Sequence, residues 1–158
     1  MRPSSARPGI AVMAEQKPAP RPCSVAAALE ILGERWTLLA VREMSYGVHR
    51  FDQITAFTGA SRDILTARLR KLEQHGIIER RQYHEHPPRY EYHLTDAGTE
   101  LVPIVRALHQ WGDRWAVAKP AVRFWHDCGH QLEVDQVCRA CGQVVRSDDL
   151  TVSQGRED

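Results

Sequence analysis

The sequence predicts an α+β fold that is mainly α, and three stretches carry that prediction. Ser61 to Gly76 has both ends of a helix marked and Leu65, Leu69 and Leu72 at helical spacing. Two β-prone runs follow, Ile77 to Tyr83 and Tyr90 to Leu94, split by the tip His84-Glu85-His86-Pro87-Pro88-Arg89. Beyond Thr95, the residues Leu101, Ile104, Val105, Leu108, Trp111 and Trp115 recur at three- and four-residue steps, as one long amphipathic helix would place them. A helix, a tight turn, a second helix and a hairpin form the order of a winged helix-turn-helix. The expected organisation is a flexible arm over 1–20, a body over 21–118, a small tail over 119–150 and disorder over 151–158.

Composition bounds the possibilities. The 158 residues suffice for one domain with a core and an appendage. No apolar run approaches a membrane span and no signal-peptide pattern is evident, so a cytoplasmic, nucleoid-associated protein without membrane partners is expected. The net charge of +1 gives no global basic field. Its distribution is uneven. Residues 1–22 hold four Lys or Arg against one acid, and residues 126–158 hold three Arg against seven acids, so an acidic tail masks a mildly basic body.

Taken in order, the elements start near Cys23. Residues 1–20 are rich in Pro, Ser, Ala and Arg, with no apolar period. Val25 to Leu32 is predicted as a first helix, with Ala26, Leu29 and Leu32 inward and Gly33 ending it. Arg35 to Met44 is a second, with Trp36, Leu39 and Ala40 inward. After Ser45-Tyr46-Gly47 comes a short third helix, Arg50 to Phe57, with Phe51 and Ile54 inward. Thr58-Gly59-Ala60 turns the chain into Ser61, whose hydroxyl can cap the next helix, and Gly76 stops that helix. The two prolines of Pro87-Pro88 cannot join a strand ladder, so they make a tip. Thr95-Asp96-Ala97-Gly98 caps the long helix, which should reach about Val117 and kink at Pro103.

The helix from Ser61 carries the chemistry of the body. Opposite its leucines stand Arg62, Thr66, Arg70 and Lys71. A face of Arg, Thr and Lys can enter a DNA major groove, where guanidinium groups meet guanine edges and phosphates. Arg62, Thr66 and Arg70 are the candidates for the groove. Arg68, Lys71 and Arg81 are candidates for holding phosphates or bracing the fold. Arg89, at the wing tip, should reach the adjacent minor groove or its phosphates. A plain solvated face is the competing explanation of such a run.

The tail reads His126-Asp127-Cys128-Gly129-His130, then Cys138-Arg139-Ala140-Cys141-Gly142. C-x-x-C-G is a knuckle in which glycine lets backbone amides turn toward thiolates, and Cys128-Gly129 echoes it. Three clustered cysteines in a cytosolic chain favour metal over disulfides. His126, Cys128, Cys138 and Cys141 therefore make a candidate tetrahedral Zn2+ site, with His130 an alternate for His126. A four-ligand site has no open position and is structural, so metal would supply the folding energy of a tail too short to build a core. A zinc hydrolase would need a general base beside an open metal, for which only Asp127 and Glu133 are near; an adaptor that docks partners through the tail is the other alternative.

The block from Cys23 to about Trp115 resembles the HxlR-type winged helix family of bacterial transcription regulators. The residues that carry the resemblance are Cys23; Leu29 to Leu39, with Gly33-Glu34-Arg35-Trp36; Arg50-Phe51-Asp52-Gln53-Ile54; Ser61 to Gly76; Arg80-Arg81; Pro87-Pro88-Arg89-Tyr90-Glu91-Tyr92; and Leu94-Thr95-Asp96-Ala97-Gly98. They span roughly three-fifths of the chain. The resemblance implies a homodimeric repressor or activator, not an enzyme, that binds a palindromic operator in double-stranded DNA. It implies a dimer interface made by the first and the long C-terminal helix, and a thiol switch at the position of Cys23. The residues themselves leave Cys23 open between a small apolar filler and a reactive thiol lowered by a helix start. They likewise leave the Trp-ended stripe open between packing within one chain and packing on a second. A small-molecule effector, aromatic or quinone-like, is expected between the dimer helices and the body, with Trp36, Phe57, Trp111 and Trp115 as available walls.

Overall fold

A computed structural model describes residues 23–152. The expectations for 1–20 and for 153–158 lie outside the described residues. Six helices and one hairpin follow in order: α1 (Ser24–Leu32), α2 (Arg35–Ser45), α3 (Phe51–Thr58), α4 (Arg62–Gln74), β1 (Ile78–His84), β2 (Arg89–Leu94), α5 (Asp96–Thr99) and α6 (Leu101–Trp115). The α+β, mainly helical class and the winged helix-turn-helix order are as the sequence predicts.

The core lies where α2, α3, α4 and the start of β1 meet. Ala40, Val41, Met44, Ile54, Leu65, Leu69, Leu72 and Ile78 are buried there. Thr37 and Glu43 on α2 are buried as well. The Glu43 carboxylate is compensated by its neighbour, accepting from Arg42 Nε at 2.8 Å. Of the predicted inward residues on α2, Ala40 is buried, whereas Trp36 and Leu39 are half-buried.

Helix α1 differs from expectation. None of its residues is buried, and Leu29 is 56% exposed. Only Ile31 and Leu32 pack against the core. Gly33 does end α1, by a route other than left-handed backbone. Its φ is −67°, its N–H donates to the Leu29 carbonyl at 2.7 Å, and a Cβ there would stand 2.4 Å from that oxygen.

The helix-turn-helix is closed by Gly59, whose φ of 75° few other residues adopt. Ser61 caps α4, its Oγ accepting from the Ile64 N–H at 3.3 Å. The hairpin is antiparallel, with Ile78 opposite Leu94 and Arg81 opposite Glu91. Its register slips between Gln82 and His84, just before the proline tip.

The long helix is a second correction. It is two helices, α5 and α6, separated at Glu100. The break precedes Pro103, which falls in the first turn of α6, where amides have no intrahelical partner and proline is tolerated. The cause lies upstream. Thr95 Oγ1 donates to the Gly76 carbonyl at 2.6 Å, and a Cβ on Gly98 would lie 2.2 Å from the Ile77 carbonyl. Short α5 is therefore pinned on the root of β1, while α6 takes its own direction across α2. The α6 stripe is mostly uncovered: Trp111 is 61% and Trp115 71% exposed.

After α6 the chain folds back as two tight turns, flanked by the bridges Trp125–Gln131 and Val137–Val144. A short 3-10 turn, Ser147–Asp149, ends the described tail.

Candidate nucleic-acid interface

The leucine stripe sets the buried face of α4. With Leu65, Leu69 and Leu72 buried, Arg62 and Arg70 are exposed and Thr66 is half-buried. Arg70 has no carboxylate within salt-bridge distance among the described residues. Arg62 is tied back: its Nη1 lies 2.6 Å from Asp52 Oδ1, and its guanidinium sits 4.8 Å over the Phe51 ring. The first residue of α4 is thus positioned by the first turn of α3, across the helix-turn-helix.

Two of the predicted DNA residues point elsewhere. Arg68 is three residues beyond Leu65 and four before Leu72, so it shares their face. Its side chain turns toward the α1–α2 connection, with Nη1 3.5 Å from Glu34 Oε1. Its Nε is buried without a partner. Lys71 donates from Nζ to the Glu30 carbonyl on α1. Both brace α4 against the N-terminal end, the second of the two roles expected of them. Arg81 is on β1, where its Nε donates to Glu79 at 2.7 Å.

Arg89 opens β2 at the wing tip and is exposed. A cleft of about 560 Å³ runs between the wing and the starts of α3 and α4, and it brings Arg62 and Arg89 onto one concave surface. Arg50 completes that surface and was not singled out from sequence as a DNA residue. It donates from Nε to Glu91 at 3.2 Å and lies 4.7 Å over the Tyr83 ring. The Arg50 guanidinium holds the Glu91 carboxyl below the usual carboxylate range. Burial raises the Tyr92 hydroxyl above its usual value on the same strand. The pairing joins residues far apart in sequence, so no local pattern announced it.

Cys23 is the N-cap of α1, in extended conformation and exposed. Its carbonyl accepts from the Ala27 N–H at 3.1 Å. It is not the buried filler that one alternative required.

In the tail, the two predicted knuckles are closed in similar ways. Gly129 and Gly142 have φ of 86° and 74°. The His126 N–H donates to the His130 carbonyl, and the Cys138 N–H to the Gln143 carbonyl, each at 2.9 Å. The amides of Cys141 and Ala140 point at the Cys138 sulfur and hold its thiol below the usual range. His126 Nδ1 accepts from the Cys128 N–H at 3.2 Å. The donor chemistry suits Zn2+, and the amide-lined Cys138–Cys141 turn suits a thiolate pair. The full set is not assembled: among the described residues, no three His, Cys, Asp or Glu are gathered as a ligand group. His130 is exposed and its carbonyl closes the first turn, which leaves His126 and His130 both available as donors.

A further cleft of about 480 Å³ lies between α2, α6 and the chain after α6. Phe57 is among its walls, as expected, with Tyr46, Val117 and Val122; Trp36, Trp111 and Trp115 are not. No helix among the described residues is long and apolar enough to cross a membrane.

Comparison with known proteins agrees with the winged architecture. Residues 31–120 match the family described as HxlR-like helix-turn-helix. A regulator of Mycobacterium tuberculosis, Rv3095, described as an uncharacterized HTH-type transcriptional regulator, is 38% identical over 135 residues, which cover 84% of this chain and 85% of its own. A Synechocystis regulator of the same description, sll1512, is 43% identical over 94 residues, 59% of this chain and 70% of its own. Among solved structures, the candidate transcription factor PA1607 superposes with a TM-score of 0.75 at 32% identity, covering 84% of this chain and 95% of that one. The redox regulator HypR in its oxidized form gives 0.56 at 33% identity, over 61% of this chain and all of that one. With the family match spanning more than half its length, the chain belongs to the HxlR-like helix-turn-helix family and is an HTH-type transcriptional regulator.

Proposed function

We propose that this regulator works as a homodimer that reads a palindromic operator with α4 in the major groove and the wing on the flanking backbone. The observation that carries the reading is the outward face of α4. Arg62 and Arg70 are exposed and Thr66 is half-buried beside the buried leucine stripe, and Arg70 has no carboxylate within salt-bridge distance among the described residues. Arg62, Arg70 and Thr66 then meet base edges, with Ser61 at the helix start near the phosphates. Arg89 and Arg50 line the wing cleft and neutralise phosphates. Arg81 contributes to the backbone contacts, and Arg68 and Lys71 hold α4 at its angle.

The dimer half of the proposal rests on uncovered apolar surface. Leu29 on α1, and Leu108, Trp111 and Trp115 on α6, are all more than half exposed. A soluble monomer seldom leaves such a patch in water, and a twofold partner would cover it. Cys23 opens α1, so oxidation or alkylation of its exposed thiol would change the interface that sets the spacing of the two reading heads. HypR, a redox regulator with a related fold, makes a thiol-oxidant response the natural first test.

For the tail, the proposal is a structural Zn2+ held by Cys138 and Cys141 from one turn and by Cys128 with His126 or His130 from the other. When bound, the metal supplies the cross-link that apolar burial does not: Trp125, Val137 and Val144 are all exposed. The test of the whole reading is selection of bound genomic fragments by the full chain, repeated with diamide, for wild type and Cys23→Ser. Recovery of a twofold-symmetric site supports it. Enrichment of no sequence, or a strictly monomeric protein by sedimentation, overturns it.

A further inference from the structure

The cleft between α6 and the tail is lined by three arginines, and their placement asks for a ligand. Its volume is about 280 Å³, close to the lower end of the range for small-molecule sites. Arg106 and Arg114 come from α6, and Arg123 from the returning chain. None of the three has a carboxylate within salt-bridge distance among the described residues. Of the two acids on the rim, Asp113 is engaged by His109, with Oδ2 3.2 Å from Nδ1, and Glu133 is the other. Guanidinium groups therefore outnumber carboxylates in the cleft.

The floor is aromatic and fixed. The Phe124 ring centre lies 5.9 Å from that of Tyr46 and 5.1 Å from that of His109, the latter in a T-shaped arrangement, and the Arg106 guanidinium stands 5.9 Å over it. The far wall is held as well, by the Val134 N–H donating to Gln110 Oε1 at 2.8 Å. A planar guanidinium recognises a carboxylate with two parallel hydrogen bonds, and a phenyl ring stacks on an aromatic face. We propose that this cleft binds a small single-ring aromatic carboxylate, held by Arg123 and Arg106 at its carboxylate and by Phe124 at its ring. Such a ligand would tie the tail to α6, and α6 carries the surface proposed for dimerisation. As an effector site the cleft rests on the regulator reading above; as a binding site it stands alone.

The probes are benzoate and its neutral analogue benzamide, titrated into the full-length protein by calorimetry, with emission from neighbouring Trp125 as a second signal. Benzoate should bind with a dissociation constant of about 1 mM or below, as its size permits. Benzamide should bind about tenfold more weakly, and Arg123→Gln should lower benzoate affinity by about the same factor. Val122→Trp, which fills the cleft without removing a charge, should abolish binding. Circular dichroism matching wild type confirms that each variant is folded. No benzoate binding to wild type, equal affinity for benzamide, or undiminished binding by both variants overturns the proposal. Arg123 is not on the proposed DNA surface, so fragment selection by wild type separates failure of this site from failure of the DNA reading.

Discussion

The Arg62 guanidinium lies 2.6 Å from the Asp52 carboxylate, so the outer face of α4 begins with an arginine already paired to α3. Both groups are exposed, and such a pair contributes only about 0–1 kcal/mol to stability. Its importance is electrostatic. Asp52 places a negative charge on the surface proposed to meet phosphates and occupies a guanidinium that could meet one. Asp52→Asn should tighten binding to all DNA sequences alike and steepen the slope of log affinity against log salt by about one. Fluorescence anisotropy at several salt concentrations on cognate and scrambled duplexes measures both. Unchanged slopes would mean that Arg62 stays on α3 in the complex.

Arg70 and Arg89 should fail in different ways. Arg70 is free and central on the outer face of α4, whereas Arg89 sits at the wing tip. Arg70→Ala should cost about 1–3 kcal/mol on the selected operator and relax preference at one base pair. Arg89→Ala should weaken binding uniformly and reduce the salt slope by about one. Competition between operator and single-base variants distinguishes the two.

The root of the wing gives a stability prediction. Gly98 in α5 approaches the Ile77 carbonyl so closely that a Cβ would stand 2.2 Å from that oxygen. Backbone lines the contact, so the clash is not relieved by a rotamer change. Gly98→Ala should destabilise the fold by about 1–3 kcal/mol despite alanine's better helix propensity. The midpoint of urea unfolding checks it; a more stable variant would show that α5 shifts freely on β1.

These positions also show how far the sequence could be read. Helix α4 was legible because its leucines recur at 3.6-residue spacing, Ser61 caps it and Gly76 stops it. The wing was legible because two prolines cannot sit in a ladder. The same leucine period, carried one step further, places Arg68 beside Leu65 and Leu72, so its inward turn was available and only its partner Glu34 was not. The division of α5 from α6 was not legible: it follows from Thr95 and Gly98 being pinned to Gly76 and Ile77, a contact between segments about twenty residues apart. Arg50 escaped for the same reason, since Glu91 is forty-one residues away. Periodicity reports which face of an element is buried, and it is silent on which distant element does the burying.

The Arg50–Glu91 pair should make the wing sensitive to acid. Arg50 holds the Glu91 carboxyl below its usual range, so the folded protein favours the charged form. The contribution is therefore complete above the ordinary carboxylate range, about pH 4.3, and is lost as pH falls through the depressed folded-state value. Glu91→Gln should lower the urea midpoint slightly at pH 7, and the difference from wild type should vanish in acid. A difference that grew on acidification would mean that Glu91 is better protonated than charged in the fold.

Removing metal should affect the tail before the body. The proposed donors lie in two turns beyond α6, and the tail's contacts with the body include Phe124, packed near Tyr46 and His109, and the Val134 N–H, which donates to Gln110 Oε1 on α6. The body keeps its own core of Ala40, Val41, Ile54 and the α4 leucines, none of which comes from the tail. Protein purified without chelator should carry about one zinc per chain, and Cys138→Ser and Cys141→Ser should each reduce that sharply. Chelation should shift Trp125 emission and speed proteolysis beyond Trp115, with far-ultraviolet circular dichroism of the helices nearly unchanged. Substituting His126 and His130 singly then decides the fourth ligand, because only the true donor should lower the zinc content. A zinc content near zero in untreated protein would leave the two glycine turns as a hairpin held by backbone hydrogen bonds alone, and the cysteines as ordinary thiols.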